Sequence, residues 1–397
     1  MKKKLIVVGG GPGMCDRAML FGAELTLVNL PGPFDAALLP FAKRTIVTDY
    51  ENDDGLLPML QGLHGADPFD AVISMTELAL LPAARLSRAL GLNGVSVEAV
   101  ERTRDKVLMR QWLDHHGFPT TPALAASSSL DIAAFAEVHG FPVIAKPRCG
   151  QGSQRIRRFD NTEQVVTAAI VGEDLIVEKF LDGPEFSVES FSFGRRHVVF
   201  AVTGKITNDT DPLHPYVEIG HVVPAPLAET DRARIVEYVV NFLDVMGITD
   251  VCTHTELRLT KSGPVVIETH TRVGGDSIPS LVRNATGADL LDFAVRWPLG
   301  LIDGELPIPG TRGAAAIRFF TPPPGTVRSI CGIERWRGHP GVVSLHLPLK
   351  PGDRVGAAAD SFSRAGYVVC TGADAAAATA ACDAVVSGIT IDIAPRD

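Results

Sequence analysis

The chain has six cysteines in 397 residues, and no two of them form a C-x-x-C pair. Without such a pair, the sequence indicates neither a zinc knuckle nor a disulfide framework. The cysteine pattern therefore fits free thiols in a reducing compartment best. The cysteines lie at positions 15, 149, 252, 331, 370 and 382.

Long apolar runs and basic blocks are also missing. No run reaches the length of a membrane span, and the apolar residues 5–8 that follow the first lysines are too few for a signal peptide. The formal net charge of -9 is spread without a basic block, which disfavours a nucleic-acid partner. We therefore expect a cytoplasmic protein with neither a membrane nor a nucleic-acid partner. The length predicts about two to three domains.

The first hundred residues predict a small parallel α/β unit. Strands are expected at 4–8, 24–29, 44–48 and 71–75, with helical patterns between them. Glycines after the first strand suggest a dinucleotide fingerprint, but Met14 occupies its last glycine position. The second strand ends at Asn29, where that fingerprint needs an acid. A plain tight turn is the better prediction.

A β-hairpin is predicted for 253–272, where two alternating runs flank the turn formers Lys-Ser-Gly-Pro. Because side chains alternate along a strand, the pattern predicts one apolar face and one polar face. The apolar face would hold Thr255, Leu257, Leu259, Val265 and Ile267, and the polar face His254, Glu256, Arg258, Glu268, His270 and Arg272.

The polar face would bring two acids together. If the connection spans about five residues, Glu256 lies opposite Glu268 with Cβ atoms roughly 5 Å apart, where like charges repel unless something bridges them. Paired carboxylates suit a hard cation such as Mg²⁺ or Mn²⁺ that also holds substrate phosphates. Two alternatives stay open here. One is an exposed face of solvated charges, and the other is a transition-metal site of a hydrolase or oxygenase that adds His254 and His270.

A glycine-rich loop is a second candidate site. The apolar strand at 141–146 ends in Lys146 and leads into Gly150-Gln-Gly-Ser153. In a Walker A loop the lysine follows the glycines, so this loop is of another kind. Its backbone N–H groups can still wrap phosphates, with the lysine supplying charge.

Two further stretches carry polar residues in suggestive places. A strand, a turn and a second strand at 175–189 carry Glu178, Lys179 and Glu185, the last of which could accept from ribose hydroxyls. The polar stretch 207–227, with Glu218 and His221, is predicted to be a loop over a site, because irregular loops of this length are usually functional.

The remaining patterns predict scaffold elements. A helix at 101–112 would bury a stripe and leave Lys106 on its polar side, and a helix near 230–246 would be capped by Thr230 or Asp231. A last helix of this part is predicted at 288–296, before a Pro- and Gly-rich boundary at 305–326. The tail has short strands and an alanine-rich helix at 373–387. The two predicted stripes are Val107, Leu108, Gln111 and Trp112, and Ile235, Val239, Phe242, Leu243 and Met246.

Taken together, these motifs resemble the ATP-grasp superfamily, whose members join a carboxylate to an amine or similar nucleophile through an acyl phosphate. The resemblance implies an α/β chain with the ATP-grasp fold. A Rossmann-like parallel α/β domain would occupy 1–100 and the ATP-grasp domain 101–310, with a lid at about 130–185. A small C-terminal α+β subdomain would occupy 311–397.

The resemblance also assigns residues. Arg272 would steady the acyl phosphate, and Glu256 and Glu268 would hold Mg²⁺, with Mn²⁺ as the alternative. His270 stands where many members have Asn, and as a third metal contact it would shift the preference toward transition metals. The residues implied for ATP are Lys106, Lys146, Gly150, Gln151, Gly152, Ser153, Glu178, Lys179, Phe180, Leu181 and Glu185.

Within the superfamily, the stretches at 218–226 and 272–276 look most like the L-amino acid ligases, which make dipeptides from free amino acids. That branch implies small-molecule substrates, namely amino acids or other small carboxylic acids and amines. Glu218 or His221 would take the proton of the attacking amine, and a homodimer is one option for the assembly. The alternatives are a biotin carboxylase-like or purine-pathway carboxylase, and an ATP-binding regulatory protein.

Overall fold

A four-stranded parallel sheet, with the order β3-β2-β1-β4, forms the N-terminal part of the computed structural model. The structure describes residues 2–32, 36–208, 216–302 and 310–394. β1 is central because its apolar run is buried from both sides. The predicted parallel unit is thus confirmed, with the elements β1 (Lys4–Val8), α1 (Pro12–Leu20), β2 (Glu24–Asn29), β3 (Ala42–Val47), α2 (Leu56–Ala66), β4 (Ala71–Ile73) and α3 (Leu80–Ala89).

The helix predicted at 101–112 is two helices, α4 (Val97–Arg104) and α5 (Lys106–His115). Asp105 separates them, because its side chain accepts hydrogen bonds from the first free backbone N–H groups of α5. The predicted buried stripe was wrong in part, since Leu108 and Gln111 are exposed. The buried side of α5 instead includes Lys106 and Arg110, which face the site.

A four-stranded antiparallel sheet, with the order β5-β8-β6-β7, comes next in the chain. It has its own core, in which Ile132 and Phe135 pack against Val143 and Val177. The sheet falls in the segment predicted to be a lid, and its movement stays a prediction. Its elements are β5 (Ala123–Ser128), α6 (Ser129–His139), β6 (Val143–Pro147), β7 (Arg157–Phe159), α7 (Thr162–Ala168) and β8 (Val171–Lys179).

An eight-stranded sheet forms the centre of the molecule, with the order β13-β12-β9-β10-β11-β14-β18-β16. The apolar stripe of α8 packs on this sheet as predicted, because Ile235, Val239, Phe242, Leu243 and Met246 are all buried there. The elements of this middle part are β9 (Glu185–Phe193), β10 (Arg196–Thr207), β11 (Glu218–Val223), α8 (Glu229–Met246), β12 (Cys252–Thr260), β13 (Gly263–His270), α9 (Ile278–Thr286) and α10 (Leu290–Arg296).

The C-terminal strands continue the same central sheet, because β14 pairs with β11 and β18 pairs with β14. A further small sheet has the order β17-β15-β19. The C-terminal part is therefore tied to the centre by backbone hydrogen bonds. Its elements are β14 (Ala314–Phe320), β15 (Gly325–Cys331), β16 (Val342–His346), β17 (Arg354–Val355), β18 (Gly366–Gly372), α11 (Ala375–Gly388) and β19 (Thr390–Ala394).

Three local predictions are corrected by the structure. The predicted loop at 207–227 contains β11, and part of it, 209–215, lies outside the described residues, as does part of the predicted boundary at 305–326. The N-cap of α8 is Ala228, so neither Thr230 nor Asp231 caps that helix. α9 was not predicted, and α10 begins at Leu290. Among the described residues, none of the helices has the length and hydropathy of a membrane span.

Candidate active site

Glu256 and Glu268 lie directly opposite each other on β12 and β13, as predicted. The register shifts just after them, because Leu257 pairs with Val266 and leaves Ile267 as an extra residue. The predicted apolar face was therefore wrong for β13. Val266 is buried in the core beside Leu257, whereas Ile267 is turned to line a cavity.

Both acids are buried beside lysines. Lys106 Nζ lies 2.7 Å from Glu268 Oε2, and Lys205 Nζ lies 2.6 Å from Glu256 Oε1. Burial raises the pKa of each carboxyl, but the facing lysines outweigh burial and hold the pKa of both Glu256 and Glu268 well below the usual range. The two carboxylates are therefore charged at neutral pH, and each accepts a cation.

A first cavity, of about 140 Å³, collects the residues implied for ATP. It lies between the lid-side sheet and the central sheet, with both Glu256 and Glu268 at one end. Gly152 is the exception among the implied set, because it lines the second cavity instead. The predicted residues that line the first cavity are Lys106, Lys146, Gly150, Gln151, Ser153, Glu178, Lys179, Phe180, Leu181 and Glu185.

Two of these side chains have structural partners inside the protein. Glu178 pairs with Lys146 at 2.7 Å and with Arg110 at 2.6 Å. Burial raises the pKa of Glu178, but these two cations outweigh it and lower the pKa to about 2. Lys179 Nζ donates to three backbone carbonyls at the end of α6, including His139 O at 2.9 Å, so its side chain anchors the lid-side sheet.

A second cavity, of about 200 Å³, adjoins the first and shares Gln151, Ser153, Glu256 and Glu268 with it. We call it the substrate chamber. Glu218, His221, His270 and Arg272, all predicted from the sequence, line it. The other lining residues are Gly152, Lys205, His254, Gly275, Asp276, Ile278, Ser361, Phe362 and Arg364.

A bulge explains why Glu218 and His221 line the same chamber. In a regular strand, residues three apart point to opposite faces. β10 and β11 shift register here, because Ile206 pairs with Gly220 and Thr207 pairs with Glu218, which leaves Ile219 as an extra residue. A bulge of this kind re-aims side chains next to it.

Lys205 is the main site residue that the sequence prediction missed. Its Nζ lies 2.6 Å from Glu256, 3.1 Å from Glu218 and 3.3 Å from Glu185, so it stands where the two cavities meet. Burial lowers the pKa of Lys205, but the three carboxylates raise it well above the usual range. The available signal was weak, namely a lysine three residues after the apolar run 198–202 of β10.

Comparison with known families identifies the fold. An ATP-grasp domain model matches residues 139–280, and an ATP-grasp N-terminal domain model matches 15–94. A third model, the L-amino acid ligase C-terminal domain 2, matches 318–394. The chain belongs to the ATP-grasp superfamily. The predicted fold class is therefore confirmed, and the protein is an ATP-grasp ligase.

Individual relatives of this ATP-grasp ligase are distant but cover most of its length. It is 27% identical to the uncharacterized protein y4rH of Sinorhizobium fredii over 87% of this chain and 73% of the relative. It is also 27% identical to an L-arginine-specific L-amino acid ligase of Bacillus subtilis over 72% of this chain and 71% of the relative. The crystal structure of an L-amino acid ligase from Bacillus licheniformis has the same fold, with a TM-score of 0.84, 23% identity and 99% of each chain covered.

Two histidines of the ATP-grasp ligase flank the paired acids. His254 joins Glu189, at 2.9 Å from Nδ1, to Glu256, at 3.0 Å from Nε2. Burial lowers the pKa of His254, but Glu189 and Glu256 raise it to about 9. At neutral pH His254 is therefore a cation that supports Glu256.

His270 has a similar arrangement beside the other acid. Its Nε2 lies 3.1 Å from Glu268 Oε1, and its Nδ1 lies 2.8 Å from Glu77 Oε2 but off the line of a hydrogen bond. Burial and Arg272 lower the pKa of His270, yet Glu77 and Glu268 outweigh them and raise it. A metal ligand needs an unprotonated nitrogen, so a third metal contact from His270 stays a prediction.

The transition-metal alternative has no support from this geometry. Each ring nitrogen of His254 and His270 faces a carboxylate at 2.8 to 3.1 Å. Within the described ranges, no three His, Cys, Asp or Glu side chains are arranged to hold a metal ion together. His254 with Glu256 and His270 with Glu268 are better described as two ion pairs on the same face of the sheet.

Arg272 lines the chamber and is held from two sides. Its Nε donates to Glu77 Oε2 at 2.8 Å, and its Nη2 donates to Gln151 Oε1 at 2.9 Å. Glu77, which the sequence prediction missed, is buried and follows β4 of the parallel sheet. Burial raises the pKa of Glu77, but His270 and Arg272 outweigh burial and lower it to about 2. The predicted arginine thus connects the N-terminal sheet, the glycine loop and the chamber.

Proposed function

We propose that this ATP-grasp ligase forms an amide bond between the carboxylate of one small molecule and the amine of another, and that both are amino acids or close analogues. The carboxylate takes the γ-phosphoryl group of ATP to give an acyl phosphate. The amine then attacks the acyl carbon and releases phosphate. The products are ADP, phosphate and the amide.

One observation carries this proposal, namely the two adjoining cavities that share Glu256 and Glu268. Phosphoryl transfer is catalysed mainly by positioning and by neutralising charge between the donor and the acceptor. A nucleotide in the first cavity, with its terminal phosphate at the shared acids, would meet a carboxylate held in the chamber. Lys205 and Arg272 stand at that meeting point and supply positive charge.

The amino-acid class rests on the relatives and on the C-terminal family match. The matched relatives include an L-arginine-specific L-amino acid ligase and a human carnosine synthase, the latter 26% identical with 41% of its length covered. The carboxylase alternative rests on fold alone, as shown by an N5-carboxyaminoimidazole ribonucleotide synthetase from Thermotoga maritima with a TM-score of 0.74 at 19% identity and a biotin carboxylase domain with 0.72 at 16%. The L-amino acid ligase model covers the segment that brings Arg364 to the chamber.

The acid pair fits a divalent cation. Glu256 and Glu268 are ionised, face each other across two strands and already accept the ammonium groups of Lys205 and Lys106. Hard carboxylate oxygens suit Mg²⁺, which binds through one or two carboxylates together with substrate phosphates. When bound, such an ion would neutralise charge on the phosphates. The biotin carboxylase domain noted above was solved with MgADP and as a dimer.

We favour His221 over Glu218 as the base. Glu218 already accepts three hydrogen bonds, because Lys205, Ser361 and Ser153 donate to its oxygens at 3.1, 2.9 and 3.3 Å. Burial raises the pKa of Glu218, but Lys205 outweighs burial and lowers it. His221 instead has one ring nitrogen, Nδ1, that is buried and has no hydrogen-bond partner among the described residues. His221 is therefore the better base for the proton of the amine.

The test is a product analysis. Pairs of amino acids are first screened with ATP and Mg²⁺ for phosphate release, and an active pair is repeated with ¹⁸O in the carboxylate of the donor. The proposal expects label in inorganic phosphate and an amide as the second product. Label in AMP, or ADP release that needs bicarbonate instead of an amine, would overturn it. We also propose a homodimer, which does not affect the reaction proposed above. Light scattering of the purified protein measures the assembly.

A further inference from the structure

Arg364 reaches the substrate chamber from the segment between β17 and β18, far along the chain from the other site residues. Its guanidinium lies 3.5 Å above the ring of Phe319 and is nearly fully buried. Both of its terminal nitrogens donate to the carboxylate of Asp276, with Nη1 at 2.8 Å from Oδ2. Nη1 also donates to the backbone oxygen of Glu218 at 3.0 Å. A fork of this kind fixes a carboxylate in both position and orientation.

Asp276, held in this way, in turn positions the ring of His221. His221 Nε2 lies 2.9 Å from Asp276 Oδ2. Because an ionised carboxylate can only accept, Nε2 carries a proton and donates a hydrogen bond to Asp276. Asp276 adopts a left-handed backbone conformation, with φ of 53°, which Asp and Asn tolerate better than most residues. Burial raises the pKa of Asp276, but His221 and Arg364 outweigh burial and lower it, so the carboxylate stays charged.

We propose that Asp276 and Arg364 are positioning residues, which hold His221 as the neutral Nε2–H tautomer and so leave its Nδ1 unprotonated and able to accept a proton. The inference rests on the proposed function, in which His221 takes the proton of the attacking amine. It adds that the segment between β17 and β18, which carries Arg364, completes the active site.

The neutral tautomer follows from what surrounds the ring. A proton on Nδ1 would be a buried N–H donor without an acceptor in the described part of the chain, which is unfavourable. Among the residues that the structure describes, the charged groups around the ring are Asp276, Glu218 on the same strand, Lys205 opposite on β10, and Arg364. Glu218 is occupied by its own donors, and Arg364 is occupied by Asp276. Asp276 is thus the group that sets which nitrogen of His221 holds the proton.

The first experiment measures the tautomer directly and does not depend on activity. Long-range ¹H–¹⁵N correlation spectra of the ¹⁵N-histidine-labelled full chain distinguish the two neutral tautomers from the imidazolium, and the His221→Gln variant identifies the signal. We expect the Nε2–H tautomer at neutral pH. In Asp276→Asn the amide can face Nε2 with either its oxygen or its NH₂ group, so an Nδ1–H population should appear. A wild-type His221 that is Nδ1–H or doubly protonated would overturn the proposal.

The second experiment separates positioning from general damage. General base catalysis is worth roughly 10²- to 10⁴-fold, so Asp276→Asn should lower kcat with an amino-acid acceptor by at least about tenfold, with a smaller change in KM for ATP. Hydroxylamine is largely unprotonated at neutral pH and needs less help from a base, so hydroxamate formation should fall much less. Equal losses for both acceptors would contradict the proposal.

Two further variants complete the test. The double variant Asp276→Asn with His221→Gln should be no slower than His221→Gln alone, because both changes remove the same base. Arg364→Lys should retain more activity than Arg364→Gln, and Arg337→Gln, at an exposed arginine, should behave as wild type. Additive losses in the double variant would mean that Asp276 acts independently of His221. If the wild type forms neither amide nor hydroxamate, the proposed function fails, and the tautomer measurement still decides the role of Asp276.

Discussion

Glu77 Oε2 lies 2.8 Å from Arg272 Nε, across the boundary between the parallel sheet and the central sheet. Glu77 follows β4, at the carboxyl end of a parallel strand, which is where open α/β sheets usually place their ligands. Here that position holds an arginine of another domain instead. The described residues of the N-terminal part therefore take part in the site without lining the first cavity.

Glu77→Gln should lower turnover far more than it lowers affinity for ATP. The amide keeps the shape of the side chain but removes the charge that orients Arg272, and a misplacement of about 1 Å at a reacting group can cost ~100-fold in rate. Steady-state kinetics together with nucleotide titration by calorimetry measure the two effects. The exposed variant Glu98→Gln is the control. A parallel loss of turnover and ATP affinity would contradict this role.

Glu268→Gln should abolish turnover, because it removes one of the two carboxylates that would hold the divalent cation. It also leaves the buried Lys106 without its partner, and breaking a buried pair typically costs about 3–5 kcal/mol of unfolding free energy. The double variant Glu268→Gln with Lys106→Met should recover part of that stability but no activity. Urea unfolding and a phosphate-release assay measure both. Near wild-type activity in the single variant would remove Glu268 from the site.

Glu178 should stabilise the fold in a manner that depends on pH. Its folded pKa of about 2 lies below its ordinary value of 4.5, so its contribution is fully present above pH 4.5 and is lost as the pH falls toward 2. Glu178→Gln removes the carboxylate that pairs with Lys146 and Arg110 and should cost several kcal/mol at pH 7. The difference in unfolding free energy between wild type and variant should shrink between pH 4.5 and 2. A difference that does not change over this range would contradict the assignment.

Gly152→Ala should slow turnover by disturbing the glycine loop. A Cβ on Gly152 would lie 2.6 Å from the ring of Phe362, in the segment that also carries Arg364. Gly117→Ala is a matched control, because Gly117 has a similar positive φ but open space where its Cβ would be. Both variants carry the same backbone strain, so only Gly152→Ala should also alter hydrogen exchange in 148–156 and near 361–364. Equal effects on exchange would mean that the contact with Phe362 is unimportant.

The acid pair was predictable because strand alternation and a short turn are local properties of the sequence. Glu256 and Glu268 lie opposite each other for that reason alone. The bulges at Ile219 and Ile267 were not predictable, since a register shift depends on which strand lies alongside. For the same reason β11 was predicted to be a loop.

The missed residues share a different cause. Lys205, Glu77, Asp276 and Arg364 act through partners that are distant in sequence, such as the contact between Arg364 and Asp276. Lys205 left a weak signal as a lysine close to an apolar run, and Glu77 left one by its place after a parallel strand. Arg364 left none. Its neighbours in the sequence are loop residues, and its partner Asp276 follows β13, far away along the chain. The roles of the predicted residues stay predictions until the variants are measured.

The pairing of β11 with β14 has a consequence for the chain as it is being made. β11 ends at Val223, and its outer partner begins at Ala314. At a synthesis rate of roughly 5–20 residues per second, the roughly 90 residues between them take about 5–20 s to appear. During that interval β11 presents an unpaired edge, and such an edge is a template for association with other chains. The strand that carries the proposed catalytic histidine is therefore unprotected until β14 has been made, and β14 in turn pairs with β18, the strand that follows directly after Arg364.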